Sequence, residues 1–402
     1  MQSFNGNSLR NITLSLVILS SLFVGIQPAS AKQFKKLLET GQVVVGNDKP
    51  IAKISNSTIG RDGQIAVNLE MVGMTIPPGS QTSFLGIYSI TKGGKISLVD
   101  QGDFGTSYRS GSFFNGFTAP SISGGEIFYG TYTYTIPFPN TSPSTVESIL
   151  KGGTVGNIKT FDTIIGRVGT LLPVPPEVSL VNGTAYVVSK QAVSRSGGVD
   201  FIFSLRSLDS RATMPSFLTI SSGTEVLSVR TSSQSIVVRT FIRPNIYKLL
   251  ERPNIGQFVQ LNPLGQNPGS CGFAVSLDNI ISCSVTGDQY ILSTRFGKQA
   301  NFVALPLPNP TALKSVSDPS ISGDNIIFKT TEQTSTGAIV DKIYTSLNRQ
   351  APKVVIAAGE QLDGKTVTGL KLSDNGRTIA LNSAVFTATF SDGSSALYRV
   401  DL

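Results

Sequence analysis

Short apolar runs with a two-residue period recur along the chain, separated by turns rich in Gly, Asp and Asn. Ile65-Ala66-Val67, Gly86-Ile87-Tyr88-Ser89-Ile90 and Lys342-Ile343-Tyr344-Thr345-Ser346 are typical. Alternation at period two predicts strands, and no long stretch shows the 3.6-residue period of an amphipathic helix. One unit repeats: a small or polar residue, an apolar anchor, a short turn, then an apolar strand. Its sharpest copies are Pro120-Ser121-Ile122-Ser123-Gly124-Gly125-Glu126-Ile127-Phe128 and Pro319-Ser320-Ile321-Ser322-Gly323-Asp324-Asn325-Ile326-Ile327-Phe328. Weaker copies place the anchor at Ile59, Leu180, Ile220, Val275 and Leu372, so successive anchors lie 40–63 residues apart. The Asp-Gly, Asn-Gly and Gly-Gly centres suit tight hairpin turns, which need positive φ.

A second hairpin follows the first. Gly86-Ile87-Tyr88-Ser89-Ile90, the turn Lys92-Gly93-Gly94 and Lys95-Ile96-Ser97-Leu98-Val99 form the best example. Lys342-Ile343-Tyr344, Ile246-Tyr247 and Leu397-Tyr398 carry the same pair. Two hairpins make four antiparallel strands, and such units arranged around an axis make a β-propeller. The expected fold is therefore all-β, a seven-bladed propeller. A six-bladed ring is the alternative if residues 177–252 hold one blade rather than two. The last unit has room for only three strands. Phe34-Lys35-Lys36-Leu37-Leu38 at the other end is expected to add the outermost fourth, closing the ring and covering a sheet edge.

The repeats resemble those of exported bacterial propellers. Leu372-Ser373-Asp374-Asn375-Gly376-Arg377-Thr378-Ile379-Ala380 resembles the Ser-Pro-Asp-Gly turn of TolB-like propellers, with Asn in place of the glycine and no proline. The Pro-Ser-Ile-Ser-Gly units, with a later Gly-Ile-Tyr, resemble repeats of exported propellers of unassigned activity. The resemblance implies a propeller and export, and transfers no catalytic residue.

Residues 1–31 read as a secretory signal peptide. Arg10 precedes an apolar stretch from Ile12 to Ile26, and Ala29-Ser30-Ala31 gives an A-x-A cleavage site. The apolar run falls short of the roughly 20 residues that span a bilayer. The expected mature protein is residues 32–402, one propeller domain without a transmembrane anchor, in a periplasm or outside the cell.

Composition narrows the chemistry. The 402 residues contain no His and no Trp, and only 14% are charged. Without His there is no Ser-His or Cys-His dyad and no imidazole metal site. Net charge is +8, but Lys and Arg are scattered, and no nucleic-acid-binding motif is present. Neither a glycine-rich phosphate loop nor a calcium loop occurs, so no cofactor or metal is expected. The two cysteines, Cys271 and Cys283, flank a strand, an Asp-Asn turn and a strand. In an oxidising compartment this spacing favours a structural disulfide across a hairpin, with a bulge needed to bring the pair into register. Two free buried thiols are the other reading.

A carboxylate pair in the central funnel could still cleave glycans. Asp62, Asp278, Asp324 and Asp374, however, sit at turns, where Asp serves the backbone. The favoured reading is a non-enzymatic propeller binding a protein or glycan through loops at one end of the ring. Residues 71–83 and 136–146 are the long insertions there. Phe104, Tyr108, Phe113, Phe114 and Phe117 form the candidate binding surface, with packing between blades as their plainer role. Oligomeric state and ligand are not written in the sequence.

Overall fold

The computed structural model describes residues 32–402 except 73–74, 77–79, 82–83, 104–111, 136–144, 168–176, 182–183, 196–197, 208–217, 221–223, 233, 243–245, 254–256, 298–300 and 374. Side chains are described outside those positions and outside 73–84, 103–115, 123, 132–150, 161–226, 229 and 253. Residues 1–31, read above as a signal peptide, and most of the second insertion thus lie outside the described residues. Every regular element among the described residues is a strand.

The strands form a β-propeller. Six blades are each built from one continuous stretch of chain: residues 51–103, 112–167, 177–220, 224–261, 268–305 and 313–357. A further sheet, shared by the two ends of the chain, completes the ring. Its order runs from Gln33–Glu39 on the outside through Ser395–Asp401 and Ser383–Phe390 to Lys365–Lys371. The N-terminal strand therefore closes the last sheet, as the strand count requires. Thr40 N donates to Ser395 O at 2.8 Å, and Lys365 Nζ reaches Glu39 at 2.6 Å and Asp392 at 2.9 Å. Residues 177–252 contribute strands to two sheets, one ending at Leu218–Ile220 and the next beginning at Thr224–Thr231.

The core lies between sheets. Leu38, Ile51, Ile65, Val67 and Tyr88 pack with Val385 and Leu397 across the seam between the closing sheet and the first blade. Ala274, Ile281, Cys283, Ile321, Phe328 and Tyr344 join the fifth and sixth blades. The recurring tyrosine faces a phenylalanine across the strand pair in three of its four copies; Tyr88 lies opposite Val67. Tyr247 lies opposite Phe241, Tyr344 opposite Phe328 and Tyr398 opposite Phe386. The last two pairs are stacked, with centroids 5.6 and 5.7 Å apart. Such cross-strand aromatic pairs stabilise a sheet beyond their buried area.

Innermost strands, other than that of the third blade, share an irregularity. Their ladders shift register between Ile54 and Ser57, Val226 and Ser228, Pro268 and Phe273, and Ser317 and Ser320. In the second blade the strand is broken between Ser112–Phe117 and Ser121–Ser123, and in the closing sheet between Lys365–Lys371 and Ile379–Ala380. A bulge bends the strand and re-aims its side chains. Here it marks the approach to the axis.

The disulfide joins Cys271 to Cys283. The hairpin turns at Leu277-Asp278, with Ser276 opposite Asn279 and Phe273 opposite Ser282. Taken straight, that register would set Cys283 one residue away from its partner. The bulge before Phe273 provides the expected correction.

Two anchors need correcting. Ile220 ends the outermost strand of the third blade, opposite Phe201, rather than opening a first hairpin. In the fourth blade the anchor register belongs to Thr231, opposite Ile236; a polar residue there hides the repeat. In the closing sheet the anchor is Ile379, opposite Ala384, not Leu372. Asn375-Gly376 turns the chain with Gly376 at φ 71°, but makes no hairpin.

Candidate functional site at the propeller axis

The break in the closing sheet sends Ser373 and residues 375–378 across the axis, where they meet five blades. Ser57 N of the first blade donates to Ser373 Oγ at 2.6 Å. Ile59 N and Thr58 Oγ1, from the same blade, donate to Arg377 O at 3.1 Å each. The Arg377 guanidinium donates to Ser121 Oγ of the second blade at 2.6 Å and to Thr231 O of the fourth at 3.4 Å. Gly376 lies against the fifth blade, so closely that a Cβ there would come 2.9 Å from Ala274 Cβ. Thr378 N and Oγ1 reach Ser320 Oγ of the sixth blade at 3.1 and 2.9 Å. The segment is an axial plug, held by residues distant in sequence.

A positional rule explains its receptors. Thr58, Ser121, Ala274 and Ser320 each directly precede an anchor. Successive strand residues point to opposite faces. The anchor enters the core between blades, and its small or polar predecessor meets the plug. Sequence reasoning recorded this small-or-polar position in the repeat without assigning it a role. Arg377 it missed, because Asn375-Gly376 carries the chemistry of a hairpin turn. Asp374 lies outside the described residues.

Asp100, Asp324 and Asp62 serve as ties or turn-formers. Asp100 accepts from Tyr129 Oη at 2.7 Å and Lys151 Nζ at 2.8 Å, joining the first blade to the second. Burial and this carboxylate both push the Tyr129 pKa well above its ordinary value. Asp62 accepts from Gln64 N at 3.0 Å within its own turn, and Asp324 pairs with Arg349 at 3.1 Å. Two acids outside that set behave alike. Glu251 takes both arms of Arg295 at 2.6 Å, joining the fourth and fifth blades. Glu332 receives Lys342 at 2.7 Å, Tyr344 at 2.8 Å and Thr330 at 2.9 Å. Burial alone would raise the Glu332 pKa, but these donors outweigh it and hold the carboxyl below its usual range. Among the described residues no group of three His, Cys, Asp or Glu side chains is placed to hold a metal ion. No helix among them is long and apolar enough to cross a membrane.

Of the aromatic candidates, Phe104 and Tyr108 lie outside the described residues. Phe113 and Phe114 belong to the strand Ser112–Phe117, opposite Tyr134 and Thr133. Phe117 packs edge-on against Tyr129, with centroids 5.6 Å apart, beside Ala66, Ile87, Ile122 and Ile127. It is a packing residue between the first two blades. The first insertion contains a small hairpin, Thr75–Ile76 with Ser80–Gln81.

No family model matches the sequence, and no curated protein does so either. Solved structures show the likeness instead. An acylaminoacyl peptidase bound to Z-Gly-Gly-Phe-chloromethyl ketone matches 87% of this chain and 51% of its own, at 9% identity and a TM-score of 0.56. The acylaminoacyl peptidase of Pyrococcus horikoshii matches 86% of this chain and 52% of its own, at 9% identity and a TM-score of 0.50. The Dos1 propeller matches 91% and 94%, at 8% identity and a TM-score of 0.42. The chain spans about half the length of the two peptidases. At such identities the likeness establishes the propeller fold alone.

Proposed function

We propose that the protein is an exported, non-enzymatic propeller that binds a protein or glycan partner through loops at one end of its ring. The occupied axis carries this reading. A glycan-cleaving carboxylate pair would have to meet its substrate in the central funnel, and the plug stands there, bonded to the blades around it. The acids described above are spent on Lys, Arg and Tyr partners that tie strands and blades together, or on their own turns. The disulfide fits an oxidising compartment, and the A-x-A leader fits export.

The insertions 71–83 and 136–146 follow the second strand of their blades, so both emerge at the same end of the ring. Phe104, Tyr108, Phe113 and Phe114 are the proposed contacts; Phe117 is withdrawn from that set because it packs between blades. A glycan array and a pull-down with residues 32–402, followed by turnover assays on each hit, test the reading. Binding without product formation is expected, weakened by substitution of Phe104 or Tyr108. Turnover abolished by one Asp or Glu substitution would defeat it.

A further inference from the structure

The bulge that carries Cys271 touches the plug by two routes. Along its own strand, Phe273 and Ala274 follow it directly, and Gly376 rests on both: a Cβ on Gly376 would lie 2.9 Å from Ala274 Cβ and 3.4 Å from Phe273 O. Sideways, Gly272 meets the sixth blade. A Cβ there would lie 2.7 Å from Pro319 Cδ. Pro319 precedes Ser320, which accepts both Thr378 N and Thr378 Oγ1. On the opposite flank the same bulge is pinned to the fourth blade. Arg239 Nη1 of the fourth blade donates to Gly269 O at 2.8 Å, while within the fifth blade Gly269 N donates to Ser282 Oγ at 3.1 Å.

We propose that the Cys271–Cys283 disulfide is a redox latch on the axial plug, so that its reduction frees residues 375–378 and opens the axis. The bulge leaves Gly269–Gly272 without regular ladder pairing, since the register runs from Pro268 opposite Ser284 directly to Phe273 opposite Ser282. The covalent bond to Cys283 ties Cys271 to the neighbouring strand across this irregular stretch. Gly269 and Gly272 sit at φ 75° and 118°, conformations that glycine enters without steric penalty. Cutting the bond lets the bulge relax, and the Ala274 and Pro319 seats of the plug shift with it.

The chemistry is a two-electron exchange with a dithiol. A thiolate of the reductant attacks the sulfur of Cys271, the partly exposed partner; Cys283 is fully buried. The S–S bond breaks, and the Cys283 sulfur leaves with the electron pair and takes up a proton. The second thiol of the reductant then displaces Cys271, giving two protein thiols and one oxidised dithiol. Val316 O, 3.8 Å from Cys283 Sγ, is placed to accept the new thiol hydrogen.

Hydrogen exchange of residues 32–402, oxidised and after native-state reduction by dithiothreitol, tests the latch. Thiol alkylation and mass analysis confirm the reduction. Exchange of peptides covering residues 375–378 should accelerate by on the order of tenfold or more, while the strand Ser395–Asp401 keeps its protection. Three results would overturn the proposal. The bond could resist dithiothreitol in the folded protein. Protection at 375–378 could survive reduction. All sheets could lose protection together, which would make the disulfide a general staple. A Cys271→Ser/Cys283→Ser variant that folds should exchange like the reduced protein; one that exchanges like the oxidised protein would also refute the latch.

Discussion

Asn325 clasps Leu381 of the neighbouring sheet: its Nδ2 donates to the Leu381 carbonyl at 2.9 Å. Ser322, three residues earlier, completes the grip by accepting the Leu381 N–H at 3.1 Å. The same pair of contacts recurs one blade back. Asn279 Nδ2 donates to Gly323 O at 2.7 Å, and Ser276 Oγ accepts Gly323 N–H at 3.2 Å. Each Asn also accepts, through Oδ1, an amide of its own blade: Gly297 N at 2.8 Å for Asn279 and Asn348 N at 2.9 Å for Asn325. A Ser-x-x-Asn turn thus fastens the fifth blade to the first turn of the sixth, and the sixth blade to the first turn of the closing sheet. Asn325→Ala should destabilise the protein by about 1–3 kcal/mol, because it removes the part-buried hydrogen bonds to the Leu381 carbonyl and the Asn348 amide. Urea unfolding measures it. A change near zero would show that the clasp carries no stability.

The two hydroxyls of the buried tyrosines are not equivalent. Tyr88 Oη is buried without a hydrogen-bond partner, whereas Tyr344 Oη serves Glu332. Tyr88→Phe should be neutral or stabilising by up to about 1 kcal/mol, since it removes an unpaired polar group. Tyr344→Phe should destabilise by about 1–3 kcal/mol, since it strips a donor from a buried carboxylate. Thermal unfolding of both variants should separate them in sign; equal losses would contradict the assignment.

Glycine substitutions distinguish packed from open turns. Gly376→Ala faces both φ 71° and a Cβ 2.9 Å from Ala274 Cβ, while Gly393→Ala faces φ 81° with open space around it. The first should cost about 2–4 kcal/mol, the second about 1. Chemical denaturation of the two proteins decides it, and equal effects would mean the plug does not press on the fifth blade.

Alkaline unfolding should track the buried tyrosines. Tyr88, Tyr129, Tyr344 and Tyr398 have pKa values raised first by burial, and in the last three also by a carboxylate at the hydroxyl. A raised folded pKa contributes stability that is complete below the unfolded value, about 10, and is lost as pH climbs past it. Glu332 acts with the opposite sign. Its lowered pKa stabilises above about pH 4.3 and gives that up as pH falls. Tyrosinate absorbance of these four side chains should appear together with loss of the circular-dichroism signal. A full tyrosinate spectrum with intact sheet signal would contradict the burial argument.

Much of the scaffold is legible in the sequence, for reasons visible in particular residues. The turns at Gly63, Gly94 and Gly125 have positive φ, which is why Gly-centred turns mark the hairpins. Phe328 opposite Tyr344 and Phe386 opposite Tyr398 explain the repeated tyrosine. The one-residue offset between the cysteines and their turn foretells the bulge. The fourth blade is harder to read because Thr231 replaces an apolar anchor. The plug is illegible because Asn375 and Gly376 satisfy the rules of a hairpin turn. Only the receptors, Ser121, Ser320 and Thr58, far away in sequence, show that the segment spans the axis instead.

A segment of the closing sheet crosses and fills the axis. A double-mutant cycle between Arg377→Ala and Ser121→Ala tests it most directly, since these residues lie 256 positions apart and meet only if the plug is seated. Unfolding free energies of the two single variants and the double variant give the coupling. An interaction energy of about 1 kcal/mol or more is expected. Strict additivity would contradict it, and with it the closed axis on which the binding-scaffold reading depends.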